Sequence, residues 1–358
     1  MPRGRSTGIG ARKSRASHNV SGGTAATPRV DRPRLSFSCG ERLFPASSSG
    51  HPVPPSRQDY LAVVAAGVVF GTSFPAIKLT VGDEGAVDPL LLTFLRLVLA
   101  ATSAVAFLVV RRRATLSVFR NKRVWLLGAL NAIGFDLQHV GEVYTTASKT
   151  ALLVDVNVVF IALLMVAIYH ERIRARRALG ILLGLVGVAV LTTRVDPSFL
   201  RQGEFRGDVL VLLAGIVWAG FVVEFKATLD RGGDYLTLSA AVLATTAVFS
   251  AAALPWADLS RPVSGLGWIG IVWLGLVTTF PPIAAWARSI RVMSPTVAAI
   301  ILLLEIAVAS ALSIAFLGEP FGLFFVLGGI LVLAGIAAAS VSEKRTTGGD
   351  AAGPRLDP

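Results

Sequence analysis

Arg96 sits inside an apolar run, LLLTFLRLVLAAT, where a charge must find a partner, bind a ligand or hold helices together. Asp136, His139 and Glu142 follow at intervals of three, so on a helix they form one slowly drifting ridge. Asp155 and Asn157 interrupt ALLVDVNVVFIALLMVAIY, and Glu305 stands alone in ILLLEIAVASALSIAFL. Cations and carboxylates gathered at one depth can hold a zwitterion, with Arg96 on its carboxylate and an acid on its amine. The plainer use is structural: Arg96 pairs with Asp136 or Asp155 and locks two helices. His139 between two carboxylates is placed to relay protons, because imidazole titrates near neutral pH. Near the outer end of its helix, it would equally be a solvated residue at the outer mouth. Trp218 and Phe70 can wall a substrate or simply pack between helices. Lys78 and Lys226 can close gates by pairing with acids, with Glu224 the local partner for Lys226, or snorkel to headgroups.

These residues repeat along with the segments that carry them. An offset of 148 places Gly67 on Gly215, Phe70 on Trp218, Lys78 on Lys226, Trp125 on Trp273, Asn157 on Glu305, Glu171 on Glu319, Gly180 on Gly328 and Gly187 on Gly335. One gap-free offset over the whole apolar region means two copies of one unit. Ten apolar segments of near-bilayer length follow, approximately 59–80, 89–110, 123–142, 147–169, 175–193, 206–228, 235–254, 267–287, 294–317 and 320–342. Five crossings per copy turn the second copy upside down, the architecture of many secondary transporters. The expected fold is an all-α integral membrane protein of ten transmembrane helices in two inverted five-helix repeats. The first repeat spans 59–194 and the second 206–342, between a basic, disordered tail (1–58) and a disordered cytoplasmic tail (343–358). Repeat-related polar residues at the bilayer midplane, such as Asn157 and Glu305, are where such folds place their substrates. Glycines 180, 184 and 187, with 328, 329 and 335, suit close helix packing in a scaffold, and a homodimer surface is a second use for them.

Composition sets the class. With 53% apolar and 16% charged residues, the chain is far from the roughly 25% charged of a soluble domain. The net charge of +12 does not signal nucleic acid, because the stretch from Met1 to Arg57 holds ten Arg or Lys against Asp31 and Glu41, giving +8 of it. The remaining basic residues lie mostly in alternate loops, such as RRRATLSVFRNKR and RIRARR, which makes both termini cytoplasmic. The tail's Arg-rich, acid-poor composition resembles an organelle transit peptide. Its bias equally suits a G+C-rich bacterial gene that begins at Val53. Cys39 is the only cysteine, so no intrachain disulfide or cysteine metal site can form. No HExxH, phosphate loop or histidine cluster supports an enzyme, and neither cofactor nor metal is expected. A lipid-processing membrane enzyme and a non-transporting scaffold or sensor remain the competing classes.

The stretches GVVFGTSFPAIKLTV, LLLTFLRLVLAAT, YTTASKTALLVDVNVVFIALLMVAIYHERI and MSPTVAAIILLLEIAVASALSIAFLGEPFGLFFVLGGILVLAGI resemble the EamA domains of the drug/metabolite transporter superfamily, twice over, from Tyr60 to Ser342. Its most specific marks here are Glu171 and Glu319 at helix ends, the Gly-rich helix after each, and Arg96 early in the second helix. The resemblance implies a ten-helix exporter of amino acids or other small metabolites in the bacterial inner membrane, with the lipid bilayer and a small-molecule substrate as its partners. Asp155 and Asn157 depart from the family's apolar or small residues, and Ala244 stands where the second half would repeat Arg96. The expected substrate-binding residues are Arg96, Asp136, Asn157, Trp218 and Glu305. Lys78, His139, Asp155 and Lys226 are expected to couple or gate, with protons as the coupling ion.

Overall fold

Short polar side chains decide where the helices begin. Ser56 and Asp59 form a capping box: the Ser56 hydroxyl accepts the Asp59 N–H at 3.3 Å, and the Asp59 carboxylate accepts the Ser56 N–H at 2.9 Å. This opens α1 (Arg57–Val81). Asp88 with Pro89 opens α2 (Pro89–Val110), and Asn121 opens α3 (Lys122–Tyr144). The computed structural model describes residues 56–113, 116–169, 175–193, 203–232, 234–292, 301–320 and 322–341. The N-terminal tail with Cys39, the charged turn with Glu171, and Lys344 with Arg345 lie outside the described residues.

Thr146 caps the fourth segment, which is two helices rather than the single one expected: α4 (Ala147–Asp155) and α5 (Asn157–Tyr169), separated at Val156. There the Val159 N–H bonds back three residues to Val156 O, as in a 3₁₀ turn. The first repeat ends with α6 (Ala175–Thr193). The second begins with α7 (Gly203–Leu229) and α8 (Tyr235–Ser250), the latter capped by Asp234 and extended by a 3₁₀ turn, Ala251–Trp256. Next come α9 (Gly265–Val272), a π turn over Trp273–Val277, and α10 (Phe280–Val292). Pro281 and Pro282 lack the N–H groups that α-helical pairing would use here, which accounts for the widened turn before them. The last two helices are α11 (Leu304–Leu317), preceded by a turn at Leu303, and α12 (Leu323–Val341).

The described structure is helical without strands, and five of its helical stretches are long and apolar enough to cross a bilayer: 57–81, 89–110, 203–229, 235–256 and 265–291. Shorter apolar helices cover 178–190, 304–317 and 323–335. Asn131, Asp136, Gln138, His139 and Glu142 lower the apolarity of α3, and the break at Val156 shortens the fourth segment. Only 33–50% of each long span's apolar window is buried. The rest exposes residues such as Val110, Leu213, Val248 and Ile269, as a lipid-facing surface does.

Contacts across the two repeats come in matched pairs. A Cβ built on Gly67 of α1 would lie 3.5 Å from Ile301 O, and one on Gly215 of α7 would lie 3.3 Å from Leu153 O, the same contact after the repeat offset. The fifth helices, α6 and α12, run antiparallel: Gly187 faces Gly328 and Val332, while Gly335 faces Gly180 and Gly184. Loop ends agree with this sense. Ser264 donates to Glu84 O and Gly85 O, and the Asp258 N–H to Asp88, so the 82–88 and 257–264 loops share one face. Arg123 meets Glu224 at 2.5 Å, bringing the start of α3 beside the end of α7 on the other face.

Candidate functional site

Arg96 projects from α2 into the protein interior and is 3% exposed. Its Nε donates to Thr279 Oγ1 at 2.9 Å, and its Nη1 contacts His139 Nε2 at 3.0 Å. A guanidinium only donates, so Nε2 must accept and the neutral His139 carries its proton on Nδ1. That N–H points to Thr93 Oγ1 at 2.7 Å, and Thr93 bonds Pro89 O one turn back on α2. The Phe135 ring lies under the guanidinium, 4.8 Å from centroid to Cζ, and meets Trp218 edge to face at 5.4 Å.

Two features of this group call for a ligand. No carboxylate lies within ion-pairing distance of Arg96 among the described residues, so the structural pair with Asp136 or Asp155 is not formed. Of the five N–H donors of a guanidinium, two are used here, and the other three meet no acceptor among the described residues. Asp136, next to Phe135 on α3 and half-buried, has its Oδ1 shielded from solvent without a donor. A buried cation with donors to spare, and on the neighbouring helix an acid with one oxygen shielded from water and unpaired, are costly without a function.

The other expected residues fall elsewhere. Trp218 touches three of the four apolar clusters and donates to Asn131 Oδ1 at 3.3 Å, while Asn131 Nδ2 donates to Thr246 at 3.2 Å. Asp155 and Glu305 are buried on helices that pack together through Leu153, Val154 and Ile306, so Glu305 lies by Asp155, and neither pairs with Arg96. Asn157 is half-buried at the first turn of α5, its backbone N against Gly215. His139 is 0% exposed, not solvated at a mouth, and Glu142 is equally buried. Lys78 caps the end of α3, donating to Glu142 O, Val143 O and Thr145 O at 2.7, 3.0 and 2.6 Å. Lys226 pairs with Asp230 beside a cleft lined by Leu229, Gly232 and Arg291; Glu224, its expected partner, takes Arg123 instead because Arg123 reaches across from α3.

Sequence reasoning missed Thr93, Phe135, Thr279 and the buried pair Lys149–Asp208. Thr93 was one turn before Arg96 on the same helix face. Thr279 was the repeat mate of Asn131, and each of the two meets a residue of the opposite repeat's second helix, Arg96 and Thr246. Nothing in the sequence marked Phe135, an aromatic among many.

The model of the EamA-like transporter family matches residues 58–193 and 205–341. An uncharacterized transporter of Archaeoglobus fulgidus is 28% identical over 282 residues, covering 76% of this chain and 96% of its own. The uncharacterized transporter YyaM of Bacillus subtilis is 25% identical over 292 residues, covering 78% and 93%. A solved crystal structure shares the fold at a TM-score of 0.60 and 20% identity, spanning 81% of this chain and 100% of the other. Matched in both of its repeats and along nearly the whole length of these relatives, the chain belongs to the EamA-like transporter family and is a multi-pass membrane transporter.

Proposed function

We propose that this transporter exports small zwitterionic metabolites of the amino-acid kind across the bacterial plasma membrane, by alternating access between two inverted five-helix repeats. Ten crossings with both termini cytoplasmic fit the positive loops, the antiparallel fifth helices and the loop pairs that share a face. The observation that carries the substrate class is the buried Arg96 guanidinium, held by Thr279 and His139 with donors to spare, together with an Asp136 oxygen on the adjoining α3 that lacks a donor. A substrate carboxylate would satisfy the first and its ammonium the second, with Phe135 against the guanidinium and Trp218 against Phe135. A homodimer would use a surface other than the glycine faces of α6 and α12, which are spent on each other.

Counterflow of radiolabelled solutes in proteoliposomes tests this. Amino acids are expected to exchange, with Arg96→Lys and Asp136→Asn each reducing their exchange about tenfold or more, since removing one partner of a charged hydrogen bond costs about 1.5–3 kcal/mol. Exchange confined to amines without a carboxylate would overturn the role of Arg96.

A further inference from the structure

The fourth and ninth segments break at nearly equivalent places, and each break carries an acid. Val156 (φ −60°, ψ −12°) follows Asp155, and Leu303 (φ −55°, ψ −14°) precedes Glu305 by two residues. Both breaks close with the same three-residue hydrogen bond, Val159 N–H to Val156 O and Ile306 N–H to Leu303 O. The breaks lie in the interior, each flanked by a first helix of the opposite repeat. Gly71 of α1 lies so close to Glu305 that a Cβ there would sit 2.7 Å from its carbonyl oxygen, and Gly215 of α7 packs on Leu153 and Val154.

Asp155 is 9% and Glu305 8% exposed, their helices pack together through Leu153, Val154 and Ile306, and the two carboxyls lie close enough to interact. Asp155 Oδ2 receives no donor from any described residue. Two carboxylates have only acceptors, so a hydrogen bond between them needs one proton. The charged groups on the surrounding helices are engaged elsewhere apart from Glu142 of α3, which is buried with neither carboxylate oxygen paired: Asp59 with Arg288, Lys78 with the end of α3, Lys149 with Glu204 and Asp208, Glu224 with Arg123, Lys226 with Asp230, and Glu319 with the first N–H groups of α4. Arg206 is exposed at the start of α7. The described parts of α5, α11 and α12 hold no charged residue besides Glu305.

We propose that Asp155 and Glu305 form one proton-binding site at the junction of the two repeats, and that release of this proton drives their helices apart. Protonated, the pair carries one negative charge and one hydrogen bond that ties the two breaks together. Deprotonated, it is two carboxylates in contact, which repel across a dry interior. An interaction that changes sign between α4 and α11 is a way for a proton gradient to bias the relative position of the repeats. The coupling rests on the transport reading above; the site itself does not.

Infrared difference spectroscopy of the full-length protein in lipid nanodiscs, titrated with acid and base without any solute, reads the site directly. A protonated-carboxyl carbonyl band is expected, lost in Asp155→Asn/Glu305→Gln and shifted but retained in Glu305→Asp, the variant least able to disturb the fold. No such band in the wild type, or a band unchanged in the double variant, overturns the site. Loss of the band on adding sodium chloride, but not choline chloride, at constant pH would overturn the assignment to a proton in favour of sodium. In proteoliposomes, an imposed pH gradient is expected to drive solute accumulation in wild type, with the gradient effect lost in the double variant while gradient-free counterflow persists. A band without any solute flux would leave the site standing and overturn the transport reading and the coupling alone.

Discussion

At the scale of residues, His139 and Thr93 decide which way Arg96 points. The imidazole accepts from the guanidinium on one side and donates to Thr93 on the other, so its tautomer is fixed by two hydrogen bonds of 3.0 and 2.7 Å. Thr93→Val keeps the shape but removes the acceptor, leaving a buried N–H unpaired at a cost of about 1–3 kcal/mol. Ring and guanidinium then lose their fixed register. We expect apparent affinity for a zwitterionic solute to fall about tenfold, read as a raised KM in counterflow, with the melting temperature lowered by a few degrees in step with that cost. A second buried charge behaves differently. Lys149 donates to Asp208 at 2.6 Å, and Asp208, itself 0% exposed, also accepts from Thr145 at 2.5 Å. Lys149→Met would strand the carboxylate and destabilise the protein by about 3–5 kcal/mol, whereas Lys149→Met with Asp208→Leu would recover most of that loss. Thermal unfolding of the two variants in detergent checks this, and equal melting temperatures would count against a buried ion pair.

At the scale of elements, the glycines of α6 and α12 separate packing from flexibility. A Cβ on Gly335 would sit 2.4 Å from Gly184 N, and one on Gly187 would sit 2.6 Å from Val332 N. Both obstacles are backbone, so neither helix can yield by turning a side chain. Gly335→Val is expected to lower stability by about 1–3 kcal/mol or more through forced separation of the helices. Gly220 meets nothing within 4 Å, and Gly220→Ala should be neutral or stabilising by about 0.5–1 kcal/mol. Comparing the two by thermal unfolding distinguishes a packing contact from a mere run of small residues. Much at this scale was legible: Ser56, Asp88, Thr146, Asp234 and Ser264 announce helix starts by type and position. The split at Val156 was not, because no proline or glycine marks it. Glu319 was legible only in part. Its recurrence with Glu171 signalled a structural role at a hairpin, yet it caps another element, accepting the Ala147 and Ser148 N–H groups of α4 at 2.7 and 3.0 Å. Such a partner depends on which helices lie side by side, which local spacing does not encode.

At the scale of the whole molecule, the repeat was the most readable feature and also the source of what could not be read. The 148-residue offset pairs Gly67 with Gly215, and the structure gives them matching contacts on opposite broken helices. The offset says which residues are equivalent but not which ones touch. Equivalence put Asn157 with Glu305, while contact joins Asp155 to Glu305. The overall sense of the repeats makes a prediction that each half alone cannot. The 82–88 and 257–264 loops meet on one face, joined by Ser264 to Glu84 O at 2.8 Å and Asp258 N–H to Asp88 at 3.0 Å. Their repeat equivalents, near 230–236 and 109–116, must then lie on the other face, where the loops rich in arginine belong in the cytoplasm. In a Cys39→Ser background, Glu84→Cys and Ser260→Cys should react with a membrane-impermeant maleimide on intact cells, and Arg112→Cys and Arg231→Cys only after lysis. Arg112 and Ser260 are equivalent under the offset, as are Glu84 and the neighbour of Arg231. Labelling of equivalent positions from the same side would therefore mean parallel repeats, and with them an odd–even arrangement of crossings incompatible with α6 and α12 running antiparallel.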